Sequence, residues 1–499
     1  MEWGNTRGRD AWLESGYTSS LMPQTDRTTR SAAPVPYAAV ARPTHVRYAV
    51  MGFLCVLSFL TYFDRVCIMR VQENVQHDLS INDRQMGWVF SAFWLAYALF
   101  EIPGGWWGDR FGARRTLTRV VLAWSLFTAL SGCATGFLSL LTFRFLFGVG
   151  EAGAYPNIAR VQSRWLPADA QARAGGLLWL VARWGGALSP ILFGSLLRLF
   201  DSPGMRSLLG HLPMLGFLGR LPAWRLGFVA SGLAGIGWVA LFYPWFRDEP
   251  ADKPSVNAAE LELLRSGQQL KREASAHRGD ARIWPALFSS PSLWALAMLY
   301  VFGSFGWSFF VTWMPKYLLQ AHNIEYAKSE WMSSLPLLCG GAACLAGGWL
   351  SDWVVRITGR KRFGRAVFLI GGRIIAAAAI FAVPHVHTAH QAVALMCITM
   401  AAFDLGQGPA WAAIIEVGGA YAGLAAGFVN TLGNFGGNFV QPIVGAQIFS
   451  RFGWPTLFAV YAASYLLSGA MWLFINPERR FYREADPSRG FEVVAPRKG

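Results

Sequence analysis

Four ionisable residues stand out inside long apolar stretches in the first third of the sequence. Asp64 and Arg65 are adjacent, and Arg144 and Glu151 are seven residues apart. On a helix, that spacing places Arg144 and Glu151 on the same side, two turns apart. A charge inside a bilayer costs about 2.5–3.5 kcal/mol on insertion scales, so residues of this kind are functional candidates.

The two residue types in this group have complementary chemistry. A guanidinium keeps its charge and offers a fork of donors that matches carboxylate oxygens. A carboxylate in a cavity of low dielectric can hold a proton. We therefore predict that an anion binds Arg65 or Arg144 while Asp64 or Glu151 takes up a proton. The alternative is that the four residues form internal ion pairs that hold helices together.

Further polar residues interrupt later apolar stretches. Arg183 would add a second positive anchor or pair with a carboxylate, and Asp404 would be a second proton site; structural roles stay open for both. Asn430, Asn434 and Asn438 recur at intervals of four and form one stripe of amides on a helix. We expect this stripe to line a polar cavity, with hydrogen bonding between helices as the alternative.

Aromatic residues inside the apolar stretches are candidates for the wall of a binding site. These candidates are Tyr62, Tyr97, Trp307, Trp313 and Tyr317. Tyr97 is the strongest of them because it falls in the middle of its stretch. Most of the 23 tryptophans are instead expected at the membrane interface or in helix packing.

The stretches that must position these residues are long enough to cross a bilayer. The chain of 499 residues is 54% hydrophobic and 15% charged, with a mean hydropathy of +0.32. A spanning helix needs about 20 apolar residues, and only helices or closed barrels satisfy their backbone in lipid. We predict an all-α integral membrane protein with twelve transmembrane helices at 47–76, 82–109, 114–134, 137–165, 171–200, 224–246, 291–319, 328–353, 363–384, 391–415, 421–449 and 455–475.

Polar segments divide the chain into five parts. Residues 1–44 are rich in Arg, Ser, Thr and Pro, and we predict a disordered cytoplasmic tail there. The longest internal interruption, 247–290, is predicted to be a cytoplasmic loop between six helices in 45–246 and six in 291–476. Residues 477–499 form a second cytoplasmic tail in this prediction.

The net charge of +15 is concentrated at the ends of the apolar stretches. This distribution follows the positive-inside rule and argues against nucleic-acid binding as the reason for the charge. The loops that we assign to the cytoplasm contain Arg110, Arg114, Arg115, Arg119, Arg160, Arg164, Arg173, Arg356, Arg360, Lys361, Arg362 and Arg365. The loop around 198–225 breaks the trend, but the balance still predicts that both termini are cytoplasmic.

A motif rich in glycine and arginine follows the second stretch and returns in part after the eighth. Its residues are Gly105, Gly108, Asp109, Arg110, Gly112, Arg114 and Arg115, and the echo contains Gly348, Asp352, Arg356, Gly359, Arg360, Lys361 and Arg362. Paired glycines before a proline recur in the same way in the fifth and eleventh stretches. We therefore predict two pseudo-symmetric six-helix bundles related by an axis along the membrane normal.

The motif from Gly105 to Arg115 resembles the signature of the major facilitator superfamily, and this resemblance implies the fold of that superfamily. There the motif is thought to latch the cytoplasmic gate through Asp109 and the arginine cluster, with Asp352 in the echo. Several segments look more specifically like the anion:cation symporter family, which includes sugar-acid permeases and the vesicular glutamate transporters. These segments are Tyr62-Phe-Asp64-Arg65, the stretch from Arg144 through Glu151 to Asn157, Trp313-Met-Pro315-Lys-Tyr317 and Gly427-Phe-Val-Asn430.

Carried over to this sequence, the family resemblance implies a role for each site residue. Proton coupling is implied for Asp64 and Glu151, and anion binding and gating for Arg65 and Arg144. Substrate contacts are implied for Tyr62, Tyr97, Asn430 and Asn434, and we add Arg183 and Trp313 to the predicted substrate site. Arg183 stands where the family leads us to expect a neutral or polar residue, and it favours a doubly charged substrate.

The sequence as a whole predicts a secondary active transporter of the cytoplasmic membrane. We expect it to move a sugar acid such as a hexuronate, aldonate or aldarate together with protons, as a monomer and without cofactor or metal. The run His385-Val-His387-Thr-Ala-His390 has no cysteine or carboxylate beside it, so we do not predict a metal site there. An anion exchanger, a sodium-coupled carrier and a membrane nutrient sensor stay open as alternatives. We find no sequence motif of a hydrolase or of a nucleotide-driven pump, and we therefore do not predict an enzyme.

Overall fold

The computed structural model of the protein describes residues 42–211, 216–265, 282–324 and 326–482. Most of the predicted N-terminal tail, most of the C-terminal tail and the middle of the central loop lie outside these residues. The described part of the chain is almost entirely helical and contains no strand. The prediction of an all-α membrane protein is confirmed.

In the residues that the structure describes, twelve helical segments cross the molecule, and we number them spans 1 to 12 in chain order. In the first half they are Val46–Arg70, Asp83–Phe111, Ala113–Ser131, Phe137–Glu151 continued by Ala154–Trp165, Gln171–Asp201 and Ala223–Trp245. In the second half they are Pro291–Thr312, Tyr326–Thr358, Lys361–Ala382, Ala389–Leu405 continued by Gln407–Gly418, Ala422–Asn434 continued to 452, and 454–471.

Nine helical runs in the described residues are long and apolar enough to cross a membrane by length and composition alone. The run from Ala389 to Phe474 contains spans 10, 11 and 12 together. Span 3 falls short of the required hydropathy because its first turns contain three arginines, Arg114, Arg115 and Arg119. Separating the long run and adding span 3 gives the twelve spans that the sequence predicts.

Two breaks in the helices have local causes. Span 11 passes into span 12 at Gly453, where φ is +75°. A left-handed backbone of this kind costs little only for glycine, and Pro455 then begins the next helix. Span 7 ends at Thr312, earlier than the predicted 319, because Pro315 cannot continue a helix without breaking its hydrogen bonds. A separate helix, Met314–His322, follows.

Short helices outside the spans order the connecting segments. Gln72–Leu79 joins spans 1 and 2, Pro203–Gly210 follows span 5, and Ala258–Leu263 lies in the central loop. In that loop Glu260 accepts hydrogen bonds from the backbone N–H groups of Val46 and Arg47 and pairs with the Arg47 guanidinium at 2.9 Å. The central loop is therefore fastened to the start of span 1.

The two halves are joined at one end of the molecule by carboxylates that cap helices in the opposite half. Oδ2 of Asp109, near the end of span 2, accepts a hydrogen bond from the Leu424 N–H at 2.8 Å. Oδ2 of Asp352, in span 8, accepts one from the Arg173 N–H at 2.8 Å. Both donors are the third residue of their helix, where N–H groups have no partner within the helix. We call this end of the molecule the latched end.

Close approach of backbones reinforces the latched end. A Cβ atom placed on Gly105 would lie 2.3 Å from the carbonyl oxygen of Gly423, and one on Gly348 would lie 2.2 Å from the carbonyl oxygen of Ala172. Real Cβ atoms do not approach carbonyl oxygens this closely. Only glycine at Gly105 and Gly348 therefore allows span 2 to contact span 11 and span 8 to contact span 5 in this arrangement.

The rest of the motif acts within its own half. Asp109 pairs with Arg160 at 3.2 Å, and the backbone N–H of Arg114 donates to Asp248 at 2.9 Å. Gly112 has φ of +91° and makes the sharp turn between spans 2 and 3, while Arg110 stacks on Trp106 at 5.1 Å. Arg115 is exposed. The cationic partner of Asp109 is thus Arg160, whereas the family resemblance implied the arginine cluster of the motif.

We expect Gly105→Val to hold the latched end apart, because the added side chain meets the Gly423 carbonyl. In a cysteine-free background, spin labels at Arg119→Cys and Thr358→Cys occupy exposed positions on spans 3 and 8. Their distance distribution should shift to longer values, and uptake should fall by about tenfold or more.

Gly371→Val on span 9 is the matched control, since no atom lies within 4 Å of its Cβ position. An unchanged distance distribution in Gly105→Val would show that the backbone contact does not hold this end closed.

Candidate substrate cavity

A cavity of about 360 Å³ lies between the two halves. Its walls come from spans 1, 2, 4 and 5 of the first half and from spans 7 to 11 of the second. It extends from the centre of the molecule to Arg70 and Thr312, at the ends of spans 1 and 7, which is the end opposite the latched one. Phe90, near the start of span 2, lines this outer part. Asp109, at the latched end, lies near the other end of the same span. We call the outer part the mouth.

Five arginines line the cavity, and no aspartate or glutamate is among the lining residues in the described part of the chain. The arginines are Arg65, Arg70, Arg144, Arg183 and Arg373. Arg70 is exposed at the mouth, and the other four are buried in the centre. Guanidinium groups bind carboxylate and other anionic oxygens, so the chemistry of this lining suits an anion.

Arg65 lies in the cavity wall with a carboxylate behind it. Its Nε donates to Oε1 of Glu151 at 2.6 Å. The guanidinium also lies 4.3 Å from the ring centroid of Tyr97 and 5.2 Å from that of Tyr62. Tyr62, Arg65 and Tyr97 line the cavity, whereas Glu151 is fully buried behind them. Arg65 and Glu151 therefore form an internal ion pair, which was the alternative left open by the sequence. Arg65 lines the cavity at the same time.

Arg144 and Asp64 are buried close to this pair without such partners. Among the described residues, neither Nε nor Nη1 of Arg144 has a hydrogen-bond partner, and the indole N–H of Trp124 is the side-chain donor beside the Asp64 carboxylate. Arg144 lines the cavity and stacks on Phe147 at 4.5 Å. Asp64 does not line the cavity, and its electrostatic neighbours include Glu151 and Arg144. The structure thus brings the four residues from spans 1 and 4 together, two on the wall and two behind it.

Arg183 and Asp404 form an ion pair across the two halves. Nε and Nη2 of Arg183 donate to the two Asp404 oxygens at 3.0 and 2.9 Å. Both residues are buried, and Arg183 also lies 4.5 Å from the ring centroid of Trp307. Arg183 therefore pairs with a carboxylate, as one of the two sequence interpretations proposed, and it also lines the cavity.

The asparagine stripe and the aromatic candidates divide between the cavity and its surroundings. Asn430, Asn434 and Asn438 line the cavity, as do Trp307 and the tyrosines of spans 1 and 2. Trp313 and Tyr317 are not among the lining residues; Trp313 packs near Phe449 at 6.3 Å between ring centroids. In the described residues, no group of three His, Cys, Asp or Glu side chains is arranged to hold a metal.

Besides Arg70 at the mouth, two buried charged residues near the centre of the cavity were missed by the sequence analysis. Glu101 in span 2 is fully buried, and its Oε2 accepts a hydrogen bond from Asn434 Nδ2 at 3.0 Å, which links spans 2 and 11. Arg373 in span 9 lines the cavity, donates to Ser468 Oγ at 3.2 Å and lies 3.7 Å from the Phe403 ring centroid. Both are charges inside apolar stretches, which is the signal that drew attention to Asp64 and Arg144.

Comparison with known proteins agrees with this architecture. The family model described as Major Facilitator Superfamily matches residues 54–440. The chain belongs to the major facilitator superfamily. The resemblance of the Gly105 to Arg115 motif is thereby confirmed, and the protein is a membrane transporter of that superfamily, which is a superfamily of transporters and not of enzymes.

The relatives and solved structures give the same assignment. The chain is 31% identical to the probable sulfoacetate transporter SauU of Cupriavidus necator, over 86% of this chain and 94% of the relative. It is 28% identical to the probable galactarate/D-glucarate transporter GudP of Bacillus subtilis, over 91% and 97%. The proton:xylose symporter XylE has a TM-score of 0.65 at 14% identity, covering 86% of this chain and 96% of that structure. At that identity the structural likeness shows the fold alone.

We expect Asn434→Leu to destabilise this transporter, because it leaves Oε2 of the buried Glu101 carboxylate without the Asn434 donor. A buried polar group without a partner costs about 1–3 kcal/mol. The double variant Glu101→Met/Asn434→Leu should recover most of the lost stability, since replacing both partners by apolar groups is nearly neutral. Thermal unfolding of the purified protein measures both effects.

Asn438→Leu is the control, because Asn438 donates to Asn434 Oδ1 and its loss removes only a bond between amides. Equal melting temperatures for Asn434→Leu and the unmodified protein would show that the contact between spans 2 and 11 does not contribute to stability.

Proposed function

We propose that the protein is a secondary active transporter that carries a small organic anion, with sugar acids as the preferred class, together with protons. The single observation that carries this proposal is the composition of the cavity wall. Arginines line it, while the carboxylates Asp64 and Glu151 lie behind the wall next to Arg144 and Arg65.

This arrangement makes anion binding and proton binding depend on each other. An anion that takes the donors of Arg65 deprives Glu151 of its partner, and a buried carboxylate without a partner is costly. A proton on Glu151 removes that cost, so anion and proton favour each other's binding. Asp64, which is buried beside Arg144 and Glu151, is the second carboxylate in this scheme.

The distribution of basic residues supports an orientation. The latched end contains Arg110, Arg114, Arg160, Arg173 and Arg356, and clusters of this kind face the cytoplasm under the positive-inside rule. We therefore propose both termini on the cytoplasmic side of the inner membrane and the mouth on the outer side. The bundles 45–246 and 291–476 would rock against each other, and one chain acts alone because it supplies every wall of the cavity.

The printed names of the relatives support the substrate class. SauU is named as a probable sulfoacetate transporter and GudP as a probable galactarate/D-glucarate transporter. The D-galactonate transporter of Escherichia coli is 28% identical over 86% of this chain. All of these names denote small acids, which fits a cavity of this size and charge.

The proposal is tested with the purified protein in proteoliposomes. A sugar acid should accumulate when an inward proton gradient is imposed, and accumulation should stop when a protonophore collapses the gradient. In Glu151→Gln, gradient-driven uptake should fail while counterflow exchange survives, because the amide still accepts from Arg65 without titrating.

Glu73→Gln, at an exposed position outside the spans, is the matched control. Uptake that does not respond to the proton gradient would contradict proton symport. Dependence on sodium would then indicate a sodium-coupled carrier, and dependence on a counter-anion would indicate an anion exchanger. Loss of both uptake and counterflow in Glu151→Gln would indicate a structural role for Glu151.

We expect Arg144→Ala to weaken anion binding by about 10- to 100-fold, the range for hydrogen bonds to charged groups of about 1.5–3 kcal/mol. Isothermal titration of the detergent-solubilised protein gives the affinity. Arg198→Ala at an exposed position of span 5 should bind as the unmodified protein does. Unchanged affinity in Arg144→Ala would remove Arg144 from the binding site.

A further inference from the structure

The lining of the cavity contains a second pair of arginines besides Arg65 and Arg144. Arg183 reaches it from span 5 and Arg373 from span 9, and both are buried. Trp307 of span 7 lines the cavity beside Arg183, with its ring centroid 4.5 Å from the guanidinium carbon. This wall therefore concentrates positive charge independently of the residues on spans 1 and 4.

The charges on this wall do not balance. Asp404 gives both of its oxygens to Arg183 at 2.9 and 3.0 Å. Arg373 makes no ion pair in the part of the chain that the structure describes; it donates to Ser468 Oγ and to the carbonyl oxygen of Phe403, and both acceptors are neutral. The buried guanidinium of Arg373 thus contacts neutral polar groups and an aromatic ring, but it forms no hydrogen bond to a carboxylate. Burying such a charge is costly unless an anion compensates it.

The opposite wall differs in this respect. Arg65 and Arg144 lie beside two carboxylates, Glu151 and Asp64, so their charge becomes available when those carboxylates take up protons. Asp404 is the carboxylate that acts electrostatically on Arg373, but both of its oxygens accept hydrogen bonds from Arg183. The two arginines of this group therefore share one carboxylate, and the cavity offers a second position with a surplus of positive charge.

A further donor lies on the residue that packs against Arg183. Among the described residues, Nε1 of Trp307 has no hydrogen-bond partner, although the atom is buried and its residue lines the cavity. A buried indole N–H normally finds an acceptor, and an anionic oxygen is a suitable one. Gln407 and Tyr300, which bond to each other at 3.3 Å, complete the polar groups of this wall.

We propose that Arg373, with Trp307 and the Arg183–Asp404 pair beside it, forms a second anion subsite, and that the substrate is a small dianion with an acidic group at each end. This inference rests on the proposed transport of an organic anion and narrows it. One acidic group lies at Arg65 and Arg144 in the first half, and the other at Arg373 in the second. The dianion then connects the two halves through its own charges, which a monoanion cannot do.

The test compares matched pairs of compounds that differ in one acidic group. D-glucarate and D-gluconate form one pair, sulfoacetate and 2-hydroxyethanesulfonate a second, and succinate and butyrate a third. Affinities are measured by isothermal titration for the full-length protein. For at least one pair the dianion should bind about tenfold or more tightly than its monoanionic partner, since each additional charge-assisted contact contributes about 1.5–3 kcal/mol.

Variants of Arg373 locate the preference. Arg373→Gln should reduce the affinity ratio within that pair to about one while the monoanion binds as before, and Arg373→Lys should restore part of the preference because it keeps the charge. Arg362→Gln is the matched control on the same span, since Arg362 is exposed and bonds to the Leu473 carbonyl oxygen outside the cavity. Melting temperatures show whether each variant is folded.

The outcomes separate the two proposals. Absence of binding by every compound would overturn the proposed function itself. Monoanions that bind as tightly as their dianionic partners would reject the second subsite and leave anion transport intact. A dianion preference that persists in folded Arg373→Gln, or that disappears in Arg362→Gln as well, would contradict the assignment to Arg373.

Discussion

The buried arginines of this protein need counter-charges, which come either from the same half of the molecule or from the opposite half. A guanidinium taken out of water without an opposite charge costs several kcal/mol. Arg65 meets this need within its own half through Glu151, whereas Arg183 meets it across the halves through Asp404. The first pair can travel with its bundle as a unit. The second must break, or shear, whenever spans 5 and 10 move apart.

The fold could be predicted largely because the bilayer imposes a simple pattern. Long apolar stretches predict spanning helices, and most of the predicted bounds differ from the observed ones by a few residues. The larger differences occur where one residue overrides hydropathy. Span 7 stops before Pro315 although apolar residues continue, and span 4 is interrupted between Glu151 and Ala154 beside Gly153. Hydropathy averaged over a stretch cannot register such positions.

The site was predictable in its residue types and less so in its pairings. A charge inside an apolar stretch identified Asp64, Arg65, Arg144 and Glu151, and the structure brings them together. The sequence left open which carboxylate meets which arginine, because that choice depends on the rotation of each helix about its axis. Arg65 takes Glu151, which comes from another span, although Asp64 is its neighbour in the chain. Glu101 and Arg373 show that the same signal, applied to every span, finds more of the site.

The contacts that close the latched end and the contacts that line the cavity lie on the same helices. Span 2 meets span 11 at Asp109 and Leu424, and again at Glu101 and Asn434 beside the cavity. Between these points Gly105 packs against Gly423, so the two helices touch over about three turns.

Span 5 has the same arrangement on the other side of the molecule. Its Arg173 is held by Asp352 of span 8 at the latched end, and its Arg183 by Asp404 of span 10 at the cavity. Helices packed this closely move as rigid rods, so opening the latched end must also disturb the polar contacts of the cavity. An anion that binds Arg183 or Asn434 would compete with Asp404 or Glu101, and so would weaken contacts that join the two halves. For the proposed anionic substrate, charge rather than bulk would therefore distinguish an occupied cavity from an empty one.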